Sequence, residues 1–312
     1  MKYCQRCVMP DTRPGTLIDN SGICLACRNH EKRKTINWET RRFELVELSK
    51  SYVGKSYYDC AVAVSGGKDS HYLVNIVKNQ LGMNPLLIRI GDGFSNTVAG
   101  TRNIRNLSDV FGCDMVQFDL SIAKYRDLTR LCFEGLANFP FVDGTVYSFP
   151  IQIAQKYDTH LLIYGENPNY EYGTDGDDNP SADEHIRQNM DFMCKLGFNC
   201  LHIPISEVNP IFMSYYVPWN GYDNYQLAKQ YGFRDLTHEW RREYTFEDFD
   251  QIDIVGWAVS NWLKYIKFGF GRATDIASRW IREGRMFRQE AVKLVEQYDS
   301  KLDRKCLDDF LS

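Results

Sequence analysis

The 312 residues carry 44% apolar side chains and a formal net charge of −4, which is enough chain for one sizeable α/β core with smaller additions. No run approaches the ~20 continuous apolar residues of a membrane-spanning helix, so no membrane span is expected. The acidic balance gives no general attraction for nucleic acid, which argues against that class of partner and favours a small anionic substrate. There is no internal repeat or low-complexity tract, and the 14% aromatic content is explained by core packing.

The chain opens with Cys4-Gln5-Arg6-Cys7 and Cys24-Leu25-Ala26-Cys27, two C-x-x-C pairs at the separation of a zinc ribbon. Four thiolates closing a tetrahedron need two tight turns that face each other, and Thr16 to Ile23 reads as a hairpin with an Asn20-Ser21-Gly22 turn between them. Cys4, Cys7, Cys24 and Cys27 are therefore expected to hold one structural zinc within a ribbon over residues 1–36. A disulfide framework and an iron–sulfur cluster are the alternatives. The lack of a signal peptide and the scatter of the other six cysteines fit a reducing cytoplasm.

Trp38 to Tyr52 spaces Phe43, Val46 and Leu48 helically among charged residues and is expected to be a surface helix. Strands are then expected at Asp59–Val64, Pro85–Ile90, Met115–Phe118 and His160–Tyr164. Helices are expected near His71–Leu81, Thr101–Phe111, Ile122–Ala137 and Pro150–Tyr157. This alternation predicts a parallel sheet covered on both faces over residues 37–182. The loops after Val64, Ile90 and Tyr164 should then meet at one cleft outside the carboxyl ends of the strands. The first of these loops is Ser65-Gly66-Gly67-Lys68-Asp69-Ser70. Adjacent glycines bring backbone N–H groups close to an anion, and the following helix adds the positive end of its dipole. A Walker A loop needs a glycine where Val62 stands and Ser or Thr where Asp69 stands. The loop instead resembles the pyrophosphate loop (PP-loop) of ATP pyrophosphatases, which cleave ATP between the α and β phosphates.

From Asp183 to Ser312 the pattern is mainly helical, broken at the proline-containing Ile203–Trp219, with a long apolar-periodic helix around Asp253–Phe268. After it, Lys267-Phe268-Gly269-Phe270-Gly271-Arg272 places two glycines between basic residues. Two readings stand: a helix–turn–helix with solvated charges, or a basic loop that meets phosphate.

In chain order the cysteine knuckle with Val8-Met9-Pro10-Asp11-Thr12-Arg13-Pro14-Gly15, the PP-loop, and Tyr164-Gly165-Glu166-Asn167 with Glu171-Tyr172-Gly173 form three blocks. Pro218-Trp219 and Lys267 to Thr274 complete the set. Together the five blocks resemble the N-acetyl sugar amidotransferase family of the PP-loop superfamily, over nearly the whole chain. That family serves lipopolysaccharide O-antigen and pseudaminic or legionaminic acid biosynthesis. The resemblance implies a Rossmann-like PP-loop sheet with an N-terminal zinc ribbon and a C-terminal helical region. It also implies a chain continuing past Leu311-Ser312. Thr174 to Asn179 is more acidic than the family pattern.

The implied reaction converts the acetamido group of a nucleotide-linked sugar into an acetamidino group. The amide oxygen attacks the α-phosphorus of ATP to give an adenylated imidate and pyrophosphate, then ammonia adds and AMP leaves. Ser65, Gly66, Gly67, Lys68, Asp69 and Ser70 would hold the pyrophosphate, with Lys68 as charge partner and Asp69 as a ligand of Mg²⁺. Ile90, Gly165, Glu166 and Asn167 would complete the ATP site. Glu166 either orients Mg²⁺ or takes a proton from ammonia, and Lys267 and Arg272 would neutralise phosphates. The residues show no glutaminase nucleophile, so the resemblance implies a glutaminase–cyclase-like pair that supplies ammonia. A zinc-ribbon tRNA thiolase and a non-enzymatic ATP-sensing scaffold are the rival readings. A thiolase generally needs cysteines in its catalytic domain, often as a C-x-x-C pair, and Cys113, Cys132, Cys194 and Cys200 make none.

Overall fold

Short, almost wholly apolar segments make the centre of the fold. They are β1 (Cys60–Val64), β2 (Pro85–Ile90), β3 (Met115–Phe118), β4 (Leu161–Tyr164) and β5 (Asn209–Phe212), in the spatial order β3-β2-β1-β4-β5. All neighbouring pairs are parallel, with Val62 opposite Leu87 on one side and Ile163 on the other. The computed structural model describes residues 1–168, 179–197 and 207–312. Helices α1 (Leu25–Arg33), α2 (Trp38–Lys50), α3 (Lys68–Asn75), α4 (Val98–Phe111), α5 (Ile122–Leu136) and α6 (Pro140–Lys156) come before β4.

Side-chain alternation divides the core into two layers. Val62, Val64 and Leu87 pack with Leu73 and Val74 of α3 and with Leu107 and Phe111 of α4. Ala61, Leu86, Ile88 and Leu162 pack with Ile151 and Ala154 of α6 and with Ile186 and Met190 of the helix Asp183–Lys195. Gly144 makes this second layer close: a Cβ there would lie 2.5 Å from Met193 Sδ.

Several boundaries differ from the sequence reading. The helix expected from Pro150 begins at Pro140, where proline suits a first helical position, and Pro150 lies within it. The helix expected at His71–Leu81 starts at Lys68 and ends in a π-helical turn, Ile76–Gln80. In the segment read as a proline break, residues 209–212 form β5. Pro210 is tolerated because β5 is the last strand of the sheet, and Ala182 N–H donates to Pro210 O while Phe212 N–H donates to Pro180 O, which covers that edge. The expected helix Asp253–Phe268 is a 3-10 turn at Gly256–Ala258 followed by an α-helix at Val259–Phe268. The expected hairpin between the cysteine pairs is one bridge, Ile18 to Cys24. Its turn is organised by Asp19 Oδ1, which accepts from Ser21 N–H and Ile23 N–H at 2.9 and 3.0 Å.

The described residues group into two compact units. One holds the sheet and comprises Trp38–Asn167 with the described part of Asn179–Arg234; the other joins Met1–Asn37 to Asp235–Ser312. In the second unit Cys4, Cys7, Cys24 and Cys27 form one buried cluster with Met9, Ala26 and Phe270. Thr12 Oγ1 donates to Phe268 O, and Arg288 Nε donates to Cys7 O at 3.1 Å.

Candidate active site

The strand order reverses between β1 and β4, because β2 and β3 extend to one side of β1 while β4 and β5 extend to the other. Such a switch point leaves a crevice at the strands' carboxyl ends. A cleft of about 250 Å³ lies there. Val64, Ser65, Asp69 and Ser70 line it from β1 and the loop into α3, and Ile90 from the end of β2. Tyr164, Gly165 and Glu166 contribute from β4, with Tyr147 and Pro150 of α6 and Trp219 closing it. The loops after β1 and β4 thus meet at one chamber, as the alternation predicts, whereas β2 contributes its strand residues Ile88 and Ile90 and the expected loop after it, Gly91 to Asn96, adds no lining residue.

Within the PP-loop, the Ser70 hydroxyl accepts from Ser65 N–H at 3.0 Å and Gly66 N–H at 3.3 Å, while Ser65 Oγ accepts from Gly67 N–H at 3.2 Å. The two serine hydroxyls thus draw the loop's three N–H donors into a tight arc, the backbone shape from which an anion-binding nest is made. Gly66 has φ +93°, and a Cβ there would come within 3.0 Å of the Ile104 side chain and 3.2 Å of its backbone. Lys68 is 97% buried, and its Nζ lies 2.7 Å from Asp69 Oδ2. Asn224 Nδ2 donates to Asp69 Oδ1 at 2.7 Å, so both carboxylate oxygens are oriented. Asp69 and Glu166 both line the cleft. Two carboxylates beside phosphate oxygens are the donor chemistry that Mg²⁺ takes, with waters completing its octahedron.

His71 supports the loop from behind. Its Nδ1–H donates to Gly67 O at 3.0 Å, and its Nε2 accepts from Asn106 Nδ2 at 3.2 Å. Burial lowers its pKa below the ordinary 6.5, which favours the neutral tautomer these bonds require. Across the cleft, Gly165 O accepts from Ser214 N–H and Asn167 N–H donates to Ser214 Oγ. A Cβ on Gly165 would stand 3.0 Å from the Trp219 ring, so the bare glycine lets the indole close that wall. Asn167 is itself buried.

The roles of His71, Asn106, Tyr147, Ser214 and Asn224 are absent from the sequence reading. Each acts through a partner remote in the chain. The one local signal was Pro150, a proline inside a helix next to the cleft. Glu171, Tyr172, Gly173 and residues 174–178 lie outside the described residues.

In the other unit the four cysteine sulfurs all lie within 4.8 Å of one another. Cys4 Sγ to Cys27 Sγ is 4.0 Å and Cys7 Sγ to Cys24 Sγ is 3.7 Å. A tetrahedron with metal–sulfur bonds of about 2.3 Å has edges of about 3.8 Å, so the donor set fits zinc in a closed site. Cys24 N–H donates to Cys4 Sγ at 3.2 Å and Met9 N–H to Cys7 Sγ at 3.5 Å, stabilising thiolate character. All nine described cysteines are free thiols, and the framework alternative of disulfides finds no pair among them.

Lys267 and Arg272 also belong to this second unit. Lys267 is exposed, with its ammonium 5.0 Å from the Phe268 ring centroid. Arg272 is buried and ion-paired to Asp250, with Asp275 4.0 Å away. The N-terminus of the helix Arg272–Arg282 is occupied by Asp299, which accepts from Thr274 N–H at 2.9 Å and from the Thr274 hydroxyl. Gly271 permits that approach, since a Cβ would meet Asp299 O at 2.7 Å. Asp250 and Asp299 thus occupy the positions that a phosphate would take at Arg272 and at this helix end.

The sheet order, the glycine loop after β1 and the cleft above them define a parallel α/β fold with a glycine-rich loop at its switch point. Residues 243–312 match the family described as "LPS biosynthesis protein WbpG-like, C-terminal domain". Comparison with curated proteins gives no match. Among solved structures, the chain is similar to an NH3-dependent NAD synthetase from Campylobacter jejuni, at 13% identity over 86% of this chain and 99% of that one, TM-score 0.38. It is similar to an NMN synthetase from Francisella tularensis at 12% identity over 88% and 92%, TM-score 0.38. A U34-tRNA thiolase from Methanococcus maripaludis shares 15% identity over 95% and 88%, TM-score 0.37. Likeness at this level carries no argument about chemistry.

Proposed function

We propose that the protein is an ATP-dependent amidotransferase that converts the N-acetyl group of a nucleotide-linked sugar to an acetamidino group. The observation that carries this reading is the single cleft at the switch point, where the PP-loop, Asp69 and Glu166 face one chamber. The WbpG-like C-terminal domain supports a role in surface-polysaccharide biosynthesis. Among the described residues no cysteine lines the cleft, which favours this reading over thiolation; Cys200 lies outside the described residues.

An amide carbonyl is a poor electrophile with a poor leaving group, so its oxygen must first be activated. In the proposed reaction that oxygen bonds to the α-phosphorus of ATP and the bond to the bridging oxygen breaks, releasing pyrophosphate. Ammonia then adds to the imidate carbon, loses protons, and expels AMP. The N–H groups of Ser65, Gly66 and Gly67 would pass from the Ser70 and Ser65 hydroxyls to the pyrophosphate oxygens as it binds, with Lys68 balancing charge as it develops. Mg²⁺, held through Asp69 and Glu166, would supply charge neutralisation at the phosphates. Tyr147, Trp219 and Ile90 offer apolar surface for the nucleotide base and help exclude water. Ammonia would come from a separate glutaminase-bearing partner.

The test is incubation of the purified chain with UDP-N-acetyl sugars, ATP, Mg²⁺ and ammonium. The expected result is AMP, pyrophosphate and a sugar lighter by the difference between an oxygen atom and an NH group. Glu166→Gln should lower the ammonium-dependent rate by about 100-fold or more if Glu166 handles that proton. ADP with phosphate, or AMP formed without any change in the sugar, would reject the reading.

A further inference from the structure

A second and larger cleft, about 480 Å³, lies between α4 and strands β2 and β3. Strand alternation separates it from the first. Ile88 and Ile90 face the nucleotide cleft, and Arg89 between them lines the other. Ile104, which forms part of its wall, is the residue against which Gly66 packs, so the two clefts share a boundary at the PP-loop.

Arg89 is more than nine-tenths buried. Its guanidinium donates to Gln117 Oε1 at 2.7 Å and to Asn96 Oδ1 at 3.1 Å, both neutral acceptors. Among the described residues no carboxylate pairs with it, although burial of an uncompensated cation is costly and buried arginines are normally paired. Arg105 lines the same cleft, is exposed, and makes no ion pair among the described residues. The Thr101 hydroxyl adds a donor to the same lining, while the Ser108 hydroxyl donates to Cys113 O. Asp109 is the only carboxylate in that lining, and it is exposed and paired with neither arginine.

We propose that this cleft is a second binding site, for a small phosphate-bearing anion held between Arg89 and Arg105. Two guanidinium groups and the Thr101 hydroxyl present more donors than one carboxylate accepts, and a phosphoryl group, with three terminal oxygens, uses them more fully. The fixed orientation of Arg89 by Gln117 and Asn96 leaves its charge to be neutralised by the ligand. The site is independent of which reaction the nucleotide cleft performs.

The experiment is a calorimetric titration of the intact chain with inorganic phosphate at constant ionic strength, with and without saturating α,β-methylene-ATP. Acetate is titrated in parallel. The expected result is a phosphate site that persists when the analogue is bound and that weakens at least tenfold in Arg105→Glu, an exposed substitution with little folding risk. Arg89→Lys, which keeps charge but loses the fork, should also weaken it, and neither change should alter analogue binding. Loss of phosphate binding once the analogue is present would overturn the proposal. So would affinity unchanged by Arg105→Glu and Arg89→Lys, or acetate bound as tightly as phosphate. Failure of the analogue itself to bind would count against the ATP reading alone, since the two substitutions still report on phosphate.

Discussion

His71 and Gly66 show how single side chains fix the PP-loop. The imidazole of His71 holds Gly67 O on one side and Asn106 on the other. His71→Leu leaves the Asn106 amide and the loop carbonyl without these bonds and should cost about 1–3 kcal/mol in urea unfolding. The pH dependence follows from its lowered pKa, caused by burial. The unfolded chain binds a proton at this residue before the folded chain does, so stability falls as pH drops from 6.5 towards the native value and is fully present above 6.5. The wild type should therefore lose more stability across this window than His71→Leu does; equal slopes would exclude His71 as the source. Gly66→Ala meets a different obstacle, a left-handed backbone and Ile104 at contact distance. It should lower stability by about 1–3 kcal/mol and reduce AMP formation further than that loss explains, as comparison of melting curves and turnover would show. The position of the glycine pair, Lys68 and Asp69 after β1 was legible in the sequence because adjacent residues determine that loop, and Glu166 because it follows the apolar run of β4. The Asn106 and Asn224 contacts were not, since they join positions 35 and 155 residues apart.

The four strands read from the apolar runs at Asp59–Val64, Pro85–Ile90, Met115–Phe118 and His160–Tyr164 appear within one residue at each end. Their chemistry is self-contained: β-branched and apolar residues bounded by turn formers. β5 escaped notice because Asn209-Pro210 reads locally as a turn, and only pairing with β4 and the covering strand bridge at Ser181 makes it extended. In α6 the small residue at Gly144 sets the spacing to the helix Asp183–Lys195. Gly144→Leu should force those two helices apart at a cost of about 1–3 kcal/mol, lowering the midpoint of unfolding while leaving the fold's circular dichroism unchanged. The glycine-rich turn before the helix Arg272–Arg282 was read from its charges as either solvated or phosphate-facing. The structure instead places Arg272 in a buried pair with Asp250. Arg272→Ala removes the closer of two arginines from Asp250, with Arg279 at 3.2 Å, and should cost about 3–5 kcal/mol. A stable Arg272→Ala protein with lost sugar or nucleotide affinity would instead favour a ligand role.

The two compact units give the protein two distinct responses to metal removal. Because the four cysteines share a cluster with Phe270, and Arg288 donates to Cys7 O, a metal held by them would support residues far along the chain as well as the knuckles themselves. Chelation should therefore raise amide hydrogen exchange over residues 1–37 and 235–312 together, while β1, β2 and β4 keep their protection. Exchange confined to residues 1–37 would show that the cysteine cluster does not support the C-terminal segment. The same packing orders events during synthesis. Every residue of the sheet has left the ribosome before Phe270 is made, so the unit that holds the sheet can mature while the cysteine knuckles still lack the aromatic wall that completes their cluster. Metal captured early would sit in a half-built, solvent-accessible thiolate cup, and secure retention becomes a late step in the protein's biogenesis. A shortage of the metal these thiolates would hold would then yield chains with a sound sheet unit and an immature second unit, a fault that arises in assembly and that later addition of metal must repair.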